Sequence, residues 1–274
     1  MLVSIFIVLR LHLYMFDSFF ESLEYRPMIR NLVKREIRGR YKGSLLGFLW
    51  NFILPLMQII VYAMVFTVIF RQDIENYYIY LIVGMVPWFM INDSFVGGAG
   101  SIVENSQLIT KIYFPRSVIP ISVVFSKFVN FIISIAIAIV VIIIAGHHVE
   151  PIAFLMLPLA MLILLVFCLG MALILSAANV YMRDVQYLVS VLTMVWIWLT
   201  PIMYVRNYVD NELISTLLSL NPATYLIEIF QDIMYWAQVP SFLTLFTAIA
   251  VAVVAFVVGI LVFDRYSPDF AEVL

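Results

Sequence analysis

A helix that crosses the hydrocarbon core of a bilayer needs about 20 mostly apolar residues. Six stretches of this chain reach that length, at 45–70, 77–95, 118–145, 152–178, 185–204 and 241–263. Ahead of the first, residues 28–42 follow another pattern. Ile29, Leu32, Val33, Ile37 and Tyr41 recur at helical spacing, while Arg30, Lys34 and Arg38 occupy the other side. This predicts an amphipathic helix lying in the membrane interface. Between the fifth and sixth stretches, two apolar pieces at 212–220 and 223–236 are split by Asn221-Pro222 and are too short to span. Pieces of that length read as re-entrant or interfacial helices. The expected fold is therefore an all-α integral membrane protein with six transmembrane helices and an N-terminal amphipathic interfacial helix. Short re-entrant helices are expected between the fifth and sixth spans. Residues 1–26 form an interfacial or disordered leader in this reading, and residues 27–274 a single transmembrane domain.

Composition agrees with that pattern. Of the 274 residues, 65% are hydrophobic and 12% charged, and the mean hydropathy is +1.08. A soluble domain is roughly 45–50% apolar and about 25% charged, so globular and disordered classes are excluded. The net charge of −2 hides an asymmetry: seven of the 15 basic residues fall between Arg26 and Lys42. With the N-terminus inside, the inner segments hold that cluster plus Lys111, Arg116, Arg183 and Arg265, and the outer ones hold Arg71 and Arg206. Eleven against two places both termini in the cytoplasm. A basic cluster beside a span serves anchoring or lipid headgroups rather than nucleic acid. The one cysteine, Cys168, lies in an apolar run and excludes a disulfide framework.

Candidate chemistry is sparse. Gly97, Gly98 and Gly100 are expected to end the second span, and Ser101 with Glu104 to form a capping box for a short helix. Ile102, Leu108, Ile109 and Ile112 give that helix an apolar stripe, and Phe114-Pro115-Arg116 stops it. It reads as a docking element or an interfacial connector. No Gly-x-x-x-x-Gly-Lys-Ser/Thr loop occurs, so ATP chemistry would reside on another polypeptide. His147 and His148 are adjacent, which disfavours a shared metal, and they read as solvated loop residues; no metal site is expected. Asp93 and Lys127 fall toward the inner ends of their helices and are expected to meet water or headgroups, while Arg183 and Asp184 mark an inner turn. Glu228 and Asp232, four apart, face water or an exit vestibule. Among 42 aromatic residues, Trp50 and Trp236 suit an interfacial belt, whereas Trp88, Trp196 and Trp198 are placed either to pack or to stack on sugar rings.

Several segments carry a family likeness. The runs Arg40-Tyr41-Lys42-Gly43-Ser44-Leu45-Leu46-Gly47-Phe48-Leu49-Trp50 with Pro55, Lys111-Ile112-Tyr113-Phe114-Pro115-Arg116 with Pro120, and Asn179-Val180-Tyr181-Met182-Arg183-Asp184 come in order. Thr200-Pro201-Ile202-Met203-Tyr204, Asn221-Pro222 and the final Phe270-Ala271-Glu272-Val273-Leu274 complete the series. Together they resemble the permease subunits of ABC transporters that export lipid-linked polysaccharides such as O-antigen, capsule and teichoic acid. The resemblance implies a homodimer of six-span subunits in the bacterial inner or plasma membrane, with two separate ATP-binding cassette subunits that carry ATP and magnesium. This chain would hold no cofactor. A coupling helix at 102–112 would dock on the ATPase through Glu104, Leu108, Lys111, Tyr113 and Arg116, with Tyr181, Arg183 and Asp184 as a second contact. Arg30, Lys34, Arg38 and Arg40 would form a gate that meets the pyrophosphate head of a polyprenyl-linked glycan among membrane lipids. Trp50, Trp88, Trp196, Trp198 and Tyr204 would line the channel.

Two other classes compete with a permease. An ion-coupled secondary carrier would need carboxylates at mid-span and an internal repeat. A membrane enzyme acting on polyprenyl lipids would need clustered acids or histidines, and only Glu228 with Asp232 comes near. Within the family, O-antigen and teichoic acid exporters share these motifs.

Overall fold

A computed structural model of the chain describes residues 21–22, 24–39, 49–66, 74–206 and 211–274. The leader up to residue 20, the gate candidate Arg40, Lys42 and Arg71 lie outside the described residues. Every regular element among those described is helical: α1 (Arg26–Gly39), α2 (Trp50–Met64), α3 (Tyr77–Glu104), α4 (Ser106–Lys111), α5 (Val118–Ile144), α6 (Pro151–Phe154), α7 (Leu157–Tyr181), α8 (Val185–Trp196), α9 (Glu212–Leu220), α10 (Pro222–Met234), α11 (Phe242–Tyr266) and α12 (Phe270–Val273).

Four helical segments, 77–104, 118–144, 151–181 and 242–269, are long and apolar enough to cross a membrane. The described part of the predicted first span holds α2, while the predicted fifth span appears as a shorter helix, α8. Helix α8 stops at Trp196 and the chain turns through Thr200 before Pro201. Proline lacks the amide hydrogen that would continue the ladder. At about 1.5 Å per residue, 12 residues rise about 18 Å, short of a hydrocarbon core of about 30 Å. Helices α7 and α11 nevertheless run in the same direction, since Tyr181 and Tyr266 meet at their C-terminal ends. The segment Val185–Val205 therefore carries the chain back along the bundle, from Tyr181 to the Tyr80 hydroxyl, which donates to the Tyr204 carbonyl at 2.9 Å. Helices α9 and α10 meet at 87° about Asn221, as two short pieces rather than one rod.

Helix α3 is the centre of the bundle. Nineteen of its 28 residues are buried, against 5 of 25 in α11. The predicted end of the second span at Gly97–Gly100 is corrected by this structure. Helix α3 runs on to Glu104, and Ser101 Oγ donates to the Gly98 carbonyl within the helix rather than capping a new one. The glycines serve close approach instead. A Cβ at Gly98 would sit 2.6 Å from that of Ala172 on α7, so only a small residue lets α3 and α7 touch. Helices α7 and α11 cross in the same way, where a Cβ on Gly170 would strike the backbone of Ala255 and one on Gly259 the backbone of Gly170.

A second apolar cluster sits at the C-terminal end of α3. Ile102, Ile109 of α4, Phe114, Val118, Val180, Phe263 and Phe270 form it, and Met28, Ile29 and Leu32 of α1 pack against it. The exposed positions of α1 are Arg26, Pro27, Arg30, Asn31, Lys34, Arg35, Arg38 and Gly39, and its half-buried ones include Val33, Glu36 and Ile37. The amphipathic pattern thus places the apolar face on α4 and α5 and the cations outward.

Candidate functional site

Three regions collect the candidate residues. The first is a groove of about 660 Å³ between α2, α3 and α8, lined among others by Trp50, Tyr62, Trp88, Asn92, Asp93 and Trp198. Its aromatic side is built by packing: Tyr62 meets Trp198 edge to face at 6.3 Å, and Trp88 meets Trp196 likewise at 5.8 Å. Edge-to-face geometry suits the quadrupoles of the rings. A second groove of about 620 Å³ holds Trp196, Trp198 and Tyr204 beside Ile214, Leu217 and Pro222. Trp198, half exposed, belongs to both. The five aromatics singled out from the sequence therefore line two adjoining grooves, though Trp88 is almost wholly buried.

The turn that shapes these grooves is held by Asn221. Its Oδ1 accepts from Trp196 Nε1 at 2.9 Å and from the Ala223 amide at 3.0 Å. Its Nδ2 donates to the Leu199 carbonyl at 2.7 Å and to Thr200 Oγ1 at 3.0 Å. One buried amide thereby joins α8, α9 and α10. Arg206 fixes the other side. Its Nη1 lies 3.2 and 3.3 Å from the two Glu228 oxygens, its Nη2 donates to Ser219 Oγ at 2.7 Å, and its guanidinium lies 5.5 Å from the Tyr225 ring. Burial pushes the Glu228 carboxyl above the usual carboxylate range, with Arg206 opposing that shift. Asp232 is likewise raised by burial, against the hydrogen bond from Gln238. Both carboxylates line a polar cavity of about 450 Å³ with Trp236. His147, expected as a solvated loop residue, instead stacks on Tyr235 at 5.2 Å, and its Nε2 lies 2.7 Å from the Tyr235 carbonyl.

The third region lies at the α1 end of the bundle. Lys127, expected to meet water or headgroups, is buried. Its ammonium lies 3.3 Å from Glu36 of α1, and the lysine side chain is 2% exposed. The reason is that α1 lies over α5 and covers it. Next to Glu36, Arg35 donates to Asn105 Oδ1, at the joint between α3 and α4, and Asn105 Nδ2 donates to the Ser101 carbonyl at 2.8 Å. Glu104 accepts from Gln186 Nε2 at 3.3 Å, while the Gln186 amide donates to Asn179 Oδ1 at 3.1 Å. Glu36, Asn92, Asp93, Glu104, Asn105, Lys127 and Gln186 line a cavity of about 360 Å³. Asn92 and Asp93 face both this cavity and the aromatic groove. Glu36 and Gln186 escaped the sequence reading. An acid between Val33 and Ile37 on the apolar face of α1 was the available signal.

The docking candidates sit on the same end. The short helix α4 spans Ser106–Lys111 rather than 102–112. Leu108 and Arg116 are half buried, Glu104 and Lys111 exposed, and Tyr113 is 92% exposed. Tyr181, Arg183 and Asp184 are exposed at the α7–α8 turn, and Tyr181 packs on Tyr266 and Phe270. The gate candidates Arg30, Lys34 and Arg38 share the exposed side of α1. The sequence matches known proteins over most of its length. The sequence profile of the ABC-2 type transporter family covers residues 28–235. The chain belongs to the ABC-2 type transporter family. As an ABC-2 member it is a multi-pass membrane protein. It is 37% identical over 257 residues to the O-antigen export system permease protein RfbA of Myxococcus xanthus, covering 92% of this chain and 97% of that one. The O-antigen export system permease protein RfbA of Klebsiella pneumoniae is 29% identical over 243 residues, covering 89% of this chain and 93% of its own.

Proposed function

We propose that this chain is the membrane-spanning subunit of an ABC exporter that moves a lipid-linked, O-antigen-like polysaccharide across the bacterial inner membrane. The observation that carries the reading is the near full-length likeness to two O-antigen export permeases. The aromatic groove adds chemical support, because the apolar C–H faces of sugar rings stack on tryptophan and tyrosine while Asn92 and Asp93 can bond hydroxyls. In this reading α2 and Val185–Val205 complete six crossings, and α9 with α10 forms a re-entrant pair at the outer face. The α1 end, with its basic stripe, faces the cytoplasm, and both termini lie inside.

Energy comes from a separate ATP-binding cassette protein, which carries ATP and magnesium and docks on α4 and the Tyr181–Asp184 turn. Exposed apolar positions on α8, such as Leu188, Val191 and Val195, suit coverage by a second copy of this chain, so that two grooves face one conduit. Arg30, Lys34 and Arg38 meet the phosphates of the lipid head, to which arginine binds bidentately.

Deletion of this gene together with the gene of its ATPase, followed by complementation with either gene alone or with both, tests this. Surface polysaccharide should vanish and lipid-linked glycan accumulate inside, and only both genes together should restore export. Export restored by the permease alone, or abolished by collapsing the proton gradient at constant ATP, would overturn the ABC reading in favour of an ion-coupled carrier.

A further inference from the structure

Lys127 is buried in the wall of a polar cavity and is matched by a carboxylate from an element that carries no other acid on its half-buried face. Three carboxylates line that cavity, Glu36 from α1 and Asp93 and Glu104 from α3. Of these three carboxylates, Glu36 lies within ion-pair distance of the ammonium in this state, at 3.3 Å. Asp93 has its neighbour Asn92 as a hydrogen-bond donor, at 3.3 Å, and Glu104 has Gln186. Room for the lysine stem comes from Gly97, where a Cβ would stand 3.1 Å from Lys127 Cε and 3.6 Å from Nζ.

When α1 withdraws, Lys127 loses its cover and its counter-charge together, and a carboxylate left in the same cavity then competes with water for the ammonium. Asp93, across the same cavity and on a different helix, is placed to be that anion. A charge with two alternative partners on two elements is a two-state device of the kind that switches use. Arg35, adjacent to Glu36, bonds Asn105 at the α3–α4 joint, so a shift of α4 pulls on the same turn of α1 that holds Glu36. Because Asp93 also faces the aromatic groove, the second state changes the groove wall.

We propose that Lys127 is the positioning residue of a clasp: paired with Glu36 it holds α1 shut over the inner end of the groove, and by exchanging Glu36 for Asp93 it releases α1 when the α4 joint moves. This rests on the reading of the chain as an exporter permease in which α4 receives the motion of the ATPase. The release is reciprocal. A ligand that draws α1 away favours the same α4 position that the ATPase drives.

The test uses the permease bound to its ATPase in lipid nanodiscs, with Cys168→Ala and nitroxides at Asn31→Cys, an exposed position of α1 outside the basic gate, and Val258→Cys on α11. Pulsed electron spin resonance gives the distance between them, and surface polysaccharide in cells gives export. The unaltered pair should give one narrow distance without nucleotide and a second, longer population when ATP is trapped. Glu36→Gln should broaden the resting distance. Asp93→Asn should keep the resting distance narrow, remove the longer population and lower export by about tenfold, the effect of a shift of one decade in the opening equilibrium. The exchange Glu36→Lys with Lys127→Glu should restore the narrow distance without restoring export, since residue 127 would then repel Asp93. A purely structural pair would regain both.

A resting distance unchanged by Glu36→Gln, or normal export by Asp93→Asn, overturns the clasp. The Asp93 variant decides the matter alone if the α1 variants do not accumulate, because Asp93 lies on α3 and takes its hydrogen bond from Asn92 of the same helix. Failure of the unaltered complex to hydrolyse ATP or to export would instead count against the exporter reading, and the resting distances would still judge the clasp.

Discussion

The ion pairs at the two ends of this bundle have nearly the same length, 3.3 Å for Lys127–Glu36 and 3.2 Å for Arg206–Glu228, and differ in what surrounds them. Arg206 meets both oxygens of Glu228, bonds Ser219 and lies over Tyr225, so its planar fork is committed to one arrangement. Lys127 is a point charge on a flexible stem in a cavity with two further carboxylates. The Arg206 pair ties α9 and α10 to the turn after α8 and is committed to one arrangement. The Lys127 pair joins two separate helices and has two further carboxylates in the same cavity. Distance alone does not separate a rivet from a latch; the number of available partners does.

Four substitutions test that contrast, beginning with the largest effect. Arg206→Ala leaves the Glu228 carboxylate, 19% exposed, without its counter-charge. Loss of this part-buried pair together with the bond to Ser219 and the Tyr225 contact is expected to cost about 2–3 kcal/mol, so α9 and α10 should become protease-sensitive and export should be lost. Arg206→Lys keeps the charge but loses the fork and the stacking; about 2 kcal/mol lower stability, read by thermal unfolding in detergent, is expected. Lys127→Met should cost only about 1 kcal/mol, since Glu36 is 37% exposed on its side chain and can turn to water. A stability loss for Lys127→Met as large as that for Arg206→Ala would contradict the contrast. The smallest effect is expected from Tyr225→Leu, which removes a ring contact with Arg206 worth about 0.5–1 kcal/mol at a partly exposed site and should leave export near normal.

The fold was legible where a long apolar period met no competing requirement. Residues 118–145 and 241–263 became helices at nearly those bounds, and Asn221-Pro222 did separate two short helices. The glycines misled, because glycine both ends helices and lets helices touch. At Gly98 the second role wins, since Ala172 leaves no room for a side chain. The predicted fifth span needed 20 residues in one helix, but Pro201 and the bonds to Asn221 turn the last third into an irregular return. Among site residues, the aromatics were visible by type, and the polar partners were not. Glu36, Asn105 and Gln186 acquire meaning only when α1, α3 and α8 converge, which no local spacing encodes. Lys127 was visible as an isolated charge in an apolar helix, but its burial depends on α1 lying over it.

The central claim is that polysaccharide passes along the groove of Trp50, Trp88 and Trp198. A photoreactive amino acid placed at residue 198, and in a control at Phe246 on the exposed face of α11, tests it in cells with export stalled by an ATPase that binds but does not hydrolyse ATP. The account predicts a ladder of polysaccharide adducts on the permease from residue 198 and none from residue 246. Adducts in equal yield from both positions, or from neither while export stays blocked with glycan in transit, would contradict it.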